Sequence, residues 1–398
     1  MKVTPHHSGG REHAMKSIIR FAAVAAFALV SSAAFSQELI VEKKTFEMPS
    51  YTTVGGQTIK NVKIGWEAAG TLNADKSNAI LITHFFTGTS HAFGKYKPDD
   101  KVAGYWDAII GPGKAIDTNK YYVIPSDTLV NLNPNAPVVT TGPASINPDT
   151  GKPYGMSFPL VTMRDFVNVQ KALVESLGIK KLKMVAGPSG GGLQVYEWAA
   201  GYPEMVEKIM PVIAAAELSS FLTGWLSVWA APILLDPKWN GGDYYGKEAP
   251  VDGLAQALKI VTLHAQQWQW AEKTFGLAFA EEGKDPTKSF GAKFKIEATL
   301  DAAGKARSAT ADANHFLYLV KANQAYSADI SKIKAPTLMI YAPSDLVFPA
   351  EIVEQGANKI AANGTPVQTV KLEGPNGHLL GVIGMAQAKD QIEAFLNK

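Results

Sequence analysis

Lys183-Met184-Val185-Ala186-Gly187-Pro188-Ser189-Gly190-Gly191-Gly192-Leu193 is the stretch that decides how this 398-residue chain is read. A short apolar run meets a serine flanked by glycines, and residues 193–200 continue at once with helical spacing. Gly-x-Ser-x-Gly in that position fits a sharp turn from strand into helix that lifts the serine hydroxyl clear of a sheet. Glycine suits both flanks, because a side chain there would run into the neighbouring strand or helix, and the serine itself takes strained backbone. The pattern is short enough to recur by chance, so its position carries the inference.

Working outward, residues 79–84 and 121–124 are further short apolar runs, and residues 162–177 between the second run and the serine strand have helical spacing. Continuously apolar strands alternating with helices predict a mostly parallel central sheet with helices on both faces. Residues 38–47 and 60–67 alternate instead, as antiparallel edge strands do. Residues 217–325 turn helical and aromatic, with Trp225, Trp229, Trp239, Trp268 and Trp270, and with breaks at Pro232, Pro237 and Gly241-Gly242. Strand character returns at 337–341 and 367–372, and an amphipathic helix at 386–396 closes the chain. The organisation expected is a core at 37–216 and 326–398, interrupted by a helical lid at 217–325.

The N-terminus stands apart. Lys16 and Arg20 precede an uncharged run, residues 21–30, and then small residues ending Ala34-Phe35-Ser36. Residues 1–36 read as a secretory signal peptide, with Met15 as an alternative start to Met1, and the run is shorter than the roughly 20 residues that span a bilayer. Export to the periplasm or medium is expected, with no stable membrane insertion after cleavage. The leader holds Lys2, Arg11, Lys16, Arg20 and Glu12, so the formal charge of +2 becomes −1 for the remainder. A near-neutral body has no surplus of cations for a nucleic-acid partner.

The chain has no cysteine, so the nucleophile is a hydroxyl, amine or carboxylate, and thiolate metal sites are excluded. No metal-ligand spacing and no phosphate-cradling loop occurs, and neither metal nor organic cofactor is expected. Ser189 needs a base. Beyond the leader there are five histidines, His84, His91, His264, His315 and His378. Where a serine occupies such a turn, its partners follow in chain order, acid then histidine, which sets aside His84 and His91. His264 and His315 have the spacing of a packed helical face. His378 follows the last strand, in Glu373-Gly374-Pro375-Asn376-Gly377, and can meet Ser189. Asp345 leaves the preceding strand in the same way and would orient the imidazole, whereas Asp107 and Asp127 precede the serine and read as structural. The backbone N–H of Gly190 and that of Phe86, in His84-Phe85-Phe86-Thr87-Gly88, are the candidate oxyanion donors.

These residues resemble a known family. Residues 78–87 and 104–122, Thr141-Gly142-Pro143-Ala144-Ser145-Ile146-Asn147-Pro148, the Ser189 turn, Asp236-Pro237-Lys238-Trp239, Asp312-Ala313-Asn314-His315-Phe316-Leu317-Tyr318, Ser344-Asp345 and Gly377-His378 are similar, in order and spacing, to the homoserine O-acetyltransferases. The resemblance covers nearly the whole chain beyond the leader. It implies an α/β-hydrolase fold with a helical lid, ping-pong acyl transfer, a Ser189–Asp345–His378 triad, Phe86 and Gly190 as oxyanion donors, and a homodimer through the lid.

The departures fall on the acceptor site. The resemblance implies a lid arginine for the homoserine carboxylate, in a Gln-Arg-Gln-Ala-Ile segment. Here Trp229-Ala230-Ala231-Pro232-Ile233 puts Ala230 in its place. It also implies an aspartate after the histidine, for the amino group, and here Leu379 follows. Gly190 stands where the family commonly has methionine. Without both charged partners a zwitterionic acceptor loses roughly 1.5 to 3 kcal/mol per contact. Ala230, Leu379 and Trp229 are therefore candidate pocket residues for a small, moderately apolar ester, and the expected activity is serine ester hydrolysis through an acyl-enzyme. An acyltransferase with an altered acceptor is the alternative, and a non-catalytic binding protein is the third reading.

Overall fold

The described residues contain ten strands: β1 (Lys44–Thr52), β2 (Thr58–Trp66), β3 (Ala79–Ile82), β4 (Ile110–Gly111), β5 (Ile116–Asp117), β6 (Tyr122–Pro125), β7 (Met184–Pro188), β8 (Ile209–Val212), β9 (Thr337–Tyr341) and β10 (Val367–Lys371). The helices are α1 (Met163–Ser176), α2 (Gly190–Gly201), α3 (Ser220–Leu235), α4 (Val251–His264), α5 (Trp268–Thr274), α6 (Lys295–Ser308), α7 (Ala313–Gln324), α8 (Ala350–Ala362), α9 (Leu380–Ile383) and α10 (Lys389–Leu396). This is a computed structural model, and it describes Glu38–Lys398. The leader read at 1–36 lies outside the described residues. No helix among those residues is long and apolar enough to cross a membrane.

Six strands form one parallel sheet in the order β10-β9-β8-β7-β3-β6. β3, β7, β8 and β9 are buried on both faces because both are covered, with alternate residues going to opposite sides, whereas the edge strand β10 is largely exposed. Leu81, Val185, Ile209, Met339 and Tyr341 enter the core shared with α1, α2 and the lid helices. Ile80, Ile82, Met184, Ala186, Met210, Val212, Leu338 and Ile340 enter the opposite core, with Trp106, Ile109, Ile392 and Phe395. β1 and β2 form a separate antiparallel hairpin, and the end of β2 and the residues just after it are bridged to the β6 edge at Trp66–Ser126 and Ala69–Val123. The alternating residues read as edge strands thus make a ribbon beside the sheet, and the first of them begins later than expected, at Lys44.

The expectation for α1 holds closely, because Thr162 caps it with a reciprocal Thr162–Asp165 capping box. One central strand, β8, is absent from the sequence reading. Its Pro211 lacks an N–H and argues against an interior strand. That missing donor falls in a gap of the β8–β9 pairing, between Ile209–Thr337 and Val212–Ile340. Between β8 and β9 the chain leaves the sheet and forms α3 to α7 before returning.

The turn from β7 into α2 is built by close approach. A Cβ on Gly187 would lie 2.0 Å from Thr83 Oγ1 and 2.7 Å from Thr83 O, and one on Gly191 would lie 2.6 Å from Thr83 O. Backbone cannot yield to either. On Gly190 the nearest atom, Asn323 Oδ1, would be 3.5 Å away, an ordinary contact. Gly191→Ala should therefore cost about 3 kcal/mol by overpacking. Gly190→Ala should be neutral or stabilising, since alanine is about 1 kcal/mol better than glycine in a helix. Urea denaturation of the two variants checks this, and equal losses would contradict it.

Candidate active site

Ser189 sits at φ 56° and ψ −121°, a left-handed conformation held by its N–H donating to Val212 O at 2.8 Å. Its Oγ is 2.8 Å from His378 Nε2, and His378 Nδ1 is 2.7 Å from Asp345 Oδ2. The carboxylate can only accept, so Nδ1 carries the proton and Nε2 is free to accept the serine hydroxyl. Asp345 Oδ1 accepts from the N–H groups of Val347 at 2.7 Å and Phe348 at 3.0 Å, which fixes the carboxylate's direction. Ser189, Asp345 and His378 follow β7, β9 and β10, at the carboxyl ends of parallel strands, and all three are buried. In an open parallel sheet that edge is where ligands bind. Gly377, at φ 54°, turns the chain into His378 where a Cβ would press on the backbone of Gln266, Ala265 and Ser344 at 3.1 to 3.2 Å.

The other four histidines are used elsewhere. His84 is buried, with Nδ1 2.8 Å from Phe85 O and Nε2 3.3 Å from Thr128 Oγ1. His91 Nδ1 lies 3.0 Å from Glu67 and its ring stacks on Tyr96. His315 donates from Nδ1 to Asn131 O at 2.6 Å and accepts the Ala144 N–H on Nε2 at 3.1 Å, a pattern only the neutral ring satisfies. His264 stacks on Trp225 at 4.1 Å, and its Nε2 is 3.2 Å from Leu346 O, which ties α4 to the Asp345 loop. Burial lowers the pKa of His84 and His315, and it brings His264 down to about 4. Asp127 accepts from Lys43 and from the N–H groups of Ser90 and Val139, and Asp107 accepts from Lys114 and the Gly94 N–H.

Among the described residues neither Phe86 N–H nor Gly190 N–H donates a hydrogen bond, and a Cβ built on Gly190 would lie 3.6 Å from Phe86 N. Two unused donors therefore stand side by side next to Ser189. The loop that carries Phe86 is pinned at both ends. Thr83 Oγ1 donates to Gly191 O at 2.9 Å, and at the far end Ser90 is held by the buried carboxylates Glu67 and Asp127. The Phe86 ring itself packs edge-on against Trp229 and Phe316.

A cavity of about 230 Å³ opens onto Ser189 and His378. Its wall is mostly apolar, with Phe85, Trp229, Val261, Leu379 and Val382, and it carries one charged lid residue, Arg307. None of its lining side chains is a carboxylate. Among the described residues, no group of three or more potential metal ligands could hold a metal ion.

No family model matches the chain. Relatives do. A homoserine O-acetyltransferase of Methanosphaerula palustris is 41% identical over 353 residues, which cover 86% of this chain and 70% of that protein. The chain belongs to the homoserine O-acetyltransferase branch of the α/β-hydrolase superfamily. Among solved structures, esterase E22 superposes with a TM-score of 0.86 at 47% identity, covering 90% of this chain and all of its own. The homoserine O-acetyltransferase from Bacillus anthracis has the same TM-score at 35% identity, covering 90% and 98%. This branch therefore includes proteins named as transferases and as an esterase, on one fold.

Of the three pocket residues expected from the sequence, Trp229 and Leu379 line the Ser189 cavity. Ala230 does not. It lines a separate groove with Met156, Leu160, Trp239 and Leu317, because adjacent residues on α3 point about 100° apart. Arg307 is the charged lining residue that the sequence does not single out, since it lies on a lid helix in no recognisable motif. A signal was nonetheless there, because from residue 38 onward the chain has only two arginines, Arg164 and Arg307.

The depressed histidines set a pH dependence. A folded-state pKa below the unfolded value of about 6.5 means the unfolded chain binds more protons between the two, so stability is lost as pH falls through that window. For His264 the window runs from about 6.5 down to about 4. Chemical denaturation should show stability falling between pH 7 and pH 5, and His264→Asn should flatten that slope even though it lowers stability at pH 7. An unchanged slope would contradict the assignment of a neutral buried His264.

Proposed function

We propose that this protein is an exported serine hydrolase that cleaves small carboxylic esters through an acyl-enzyme. Ser189 Oγ attacks the ester carbonyl while its proton passes to His378 Nε2, and Asp345 stabilises the imidazolium through Nδ1. The tetrahedral oxyanion is received by the N–H groups of Phe86 and Gly190, donors worth about 3 to 4 kcal/mol each. His378 then gives its proton to the departing alcohol oxygen, leaving an acyl group on Ser189. In the second half His378 takes a proton from water, the hydroxide attacks the acyl carbonyl, and Ser189 recovers its proton as the carboxylic acid leaves. The serine-to-histidine bond of 2.8 Å and the histidine-to-aspartate bond of 2.7 Å support these roles.

One observation favours water over an amino-acid acceptor: no carboxylate lines the cavity to hold an ammonium group, and Leu379 is on the wall beside His378. An ammonium ion brought there would be desolvated without compensation. The 47% identity to a protein named as an esterase points the same way. A volume of about 230 Å³ is below the ~300–1,000 Å³ usual for drug-sized ligands, which supports short acyl and alcohol groups. Export, proposed from residues 16–36, fits a reaction that needs no acetyl-CoA.

Purified protein should hydrolyse p-nitrophenyl acetate faster than p-nitrophenyl octanoate and should react with a fluorophosphonate probe at Ser189. Ser189→Ala should lose labelling and roughly 10⁴-fold or more in kcat, and Asp345→Asn about 10⁴-fold with labelling slowed in step. Release of CoA from acetyl-CoA only when homoserine is present would overturn the hydrolase reading in favour of a transferase.

A further inference from the structure

Arg307 has no ion pair among the described residues, although it lies on the wall of the Ser189 cavity. The chain's other arginine beyond the leader, Arg164, is paired with the buried carboxylate of Glu197 at 2.5 Å. Asp301, on the same helix, binds Lys259 and Lys293 at 2.6 Å each, and Asp345 serves His378 and two backbone amides. Of the five N–H groups of the guanidinium, one has a partner, Nη1 donating to Thr262 Oγ1 at 2.7 Å. Thr262 lines the same cavity and passes its own proton to Leu258 O at 2.7 Å, so its oxygen is free to accept from the arginine.

The hydrogen bond to Thr262 aims the head group while leaving most of its donors unused. Lys305, on the same last turn of α6, is exposed and can interact with the helix C-terminus from solvent, so that role does not account for an arginine turned inward. Burial alone lowers the Arg307 pKa, with no carboxylate acting against it, yet an arginine stays protonated at any physiological pH. A desolvated cation in an apolar wall is costly until an anion pairs with it.

We infer that Arg307 is a specificity determinant that receives a free carboxylate on the substrate, so that the preferred esters are short and carry one carboxylate and no ammonium group. The inference rests on the hydrolase reading and narrows its substrate class. The guanidinium offers a planar pair of donors that matches a carboxylate. It stands on α6, and the position where the family resemblance expects the acceptor-binding arginine is Ala230 on α3. With a cation present and no carboxylate on the wall, the cavity discriminates between an acid and an amino acid.

Two ester pairs locate the carboxylate: acetoxypropionate against acetoxypropionamide on the alcohol side, and monomethyl succinate against methyl succinamate on the acyl side. Binding is read by calorimetry on Ser189→Ala, which holds the esters without turning them over. At least one carboxylate member should bind about 10-fold or more tighter than its amide, the scale of a hydrogen bond to a charged group. Adding Arg307→Gln should erase that preference while leaving the amide within about threefold, and Arg307→Lys should keep part of it. Fluorophosphonate labelling of the single Arg307 variants confirms an intact Ser189 site. No preference in either pair, or a preference that survives Arg307→Gln, overturns the inference. Failure of the hydrolase reading shows elsewhere, as absent turnover of all four esters by the wild-type protein.

Discussion

The contact between Thr83 and the Ser189 turn governs the carboxyl edge of this sheet. Gly187 and Gly191 both pass so close to Thr83 that no side chain fits at either position. The approach lifts Ser189 into left-handed backbone, and Thr83 Oγ1 locks it by donating to Gly191 O. The same threonine directly follows β3 and starts the loop that holds Phe86. One contact thus sets both the direction of the serine hydroxyl and the distance between the Phe86 and Gly190 amides. A catalytic site of this kind needs donors fixed before the charge develops, and here the fixing comes from backbone packed on backbone.

The lid supplies what the sheet cannot. Trp229 and Val261 close the cavity over Ser189, and His264 links α4 to the loop that presents Asp345. Of the two lid histidines, His315 is held neutral by burial and by a pair of hydrogen bonds that suits only the uncharged ring, and His264 by burial. The charges on the cavity wall are one-sided. Arg307 is present, and Leu379 occupies the place beside His378 where the family resemblance implies an acid. That imbalance leaves no carboxylate on the wall for the ammonium end of an amino acid.

The fold and the meeting of Ser189, Asp345 and His378 were legible for a common reason. In a parallel sheet the loops at the carboxyl ends come together wherever the strands lie in sequence, so Ser189, Asp345 and His378 could be matched to strand ends without knowing distances. Strand β8 was not legible, because Pro211 breaks the rule for an interior strand and only the local gap in pairing accommodates it. The place of Ala230 in a separate groove was hidden by the helix period, since one residue's rotation on α3 separates it from Trp229 in the cavity. Arg307 was hidden because its meaning depends on what is missing around it. Sequence spacing does not report an absent counter-ion, though the scarcity of arginine from residue 38 onward marks both arginines as worth attention.

The central claim is that water, not an amino acid, discharges the enzyme. Intact-protein mass spectrometry after rapid mixing with p-nitrophenyl acetate measures it most directly, by following the acetyl adduct on Ser189 in buffer alone and in buffer with homoserine. The account predicts that the adduct decays in buffer at the steady-state turnover rate and that homoserine leaves this decay unchanged. An adduct that persists in water and is discharged only by homoserine, with O-acetylhomoserine as the product, would contradict it.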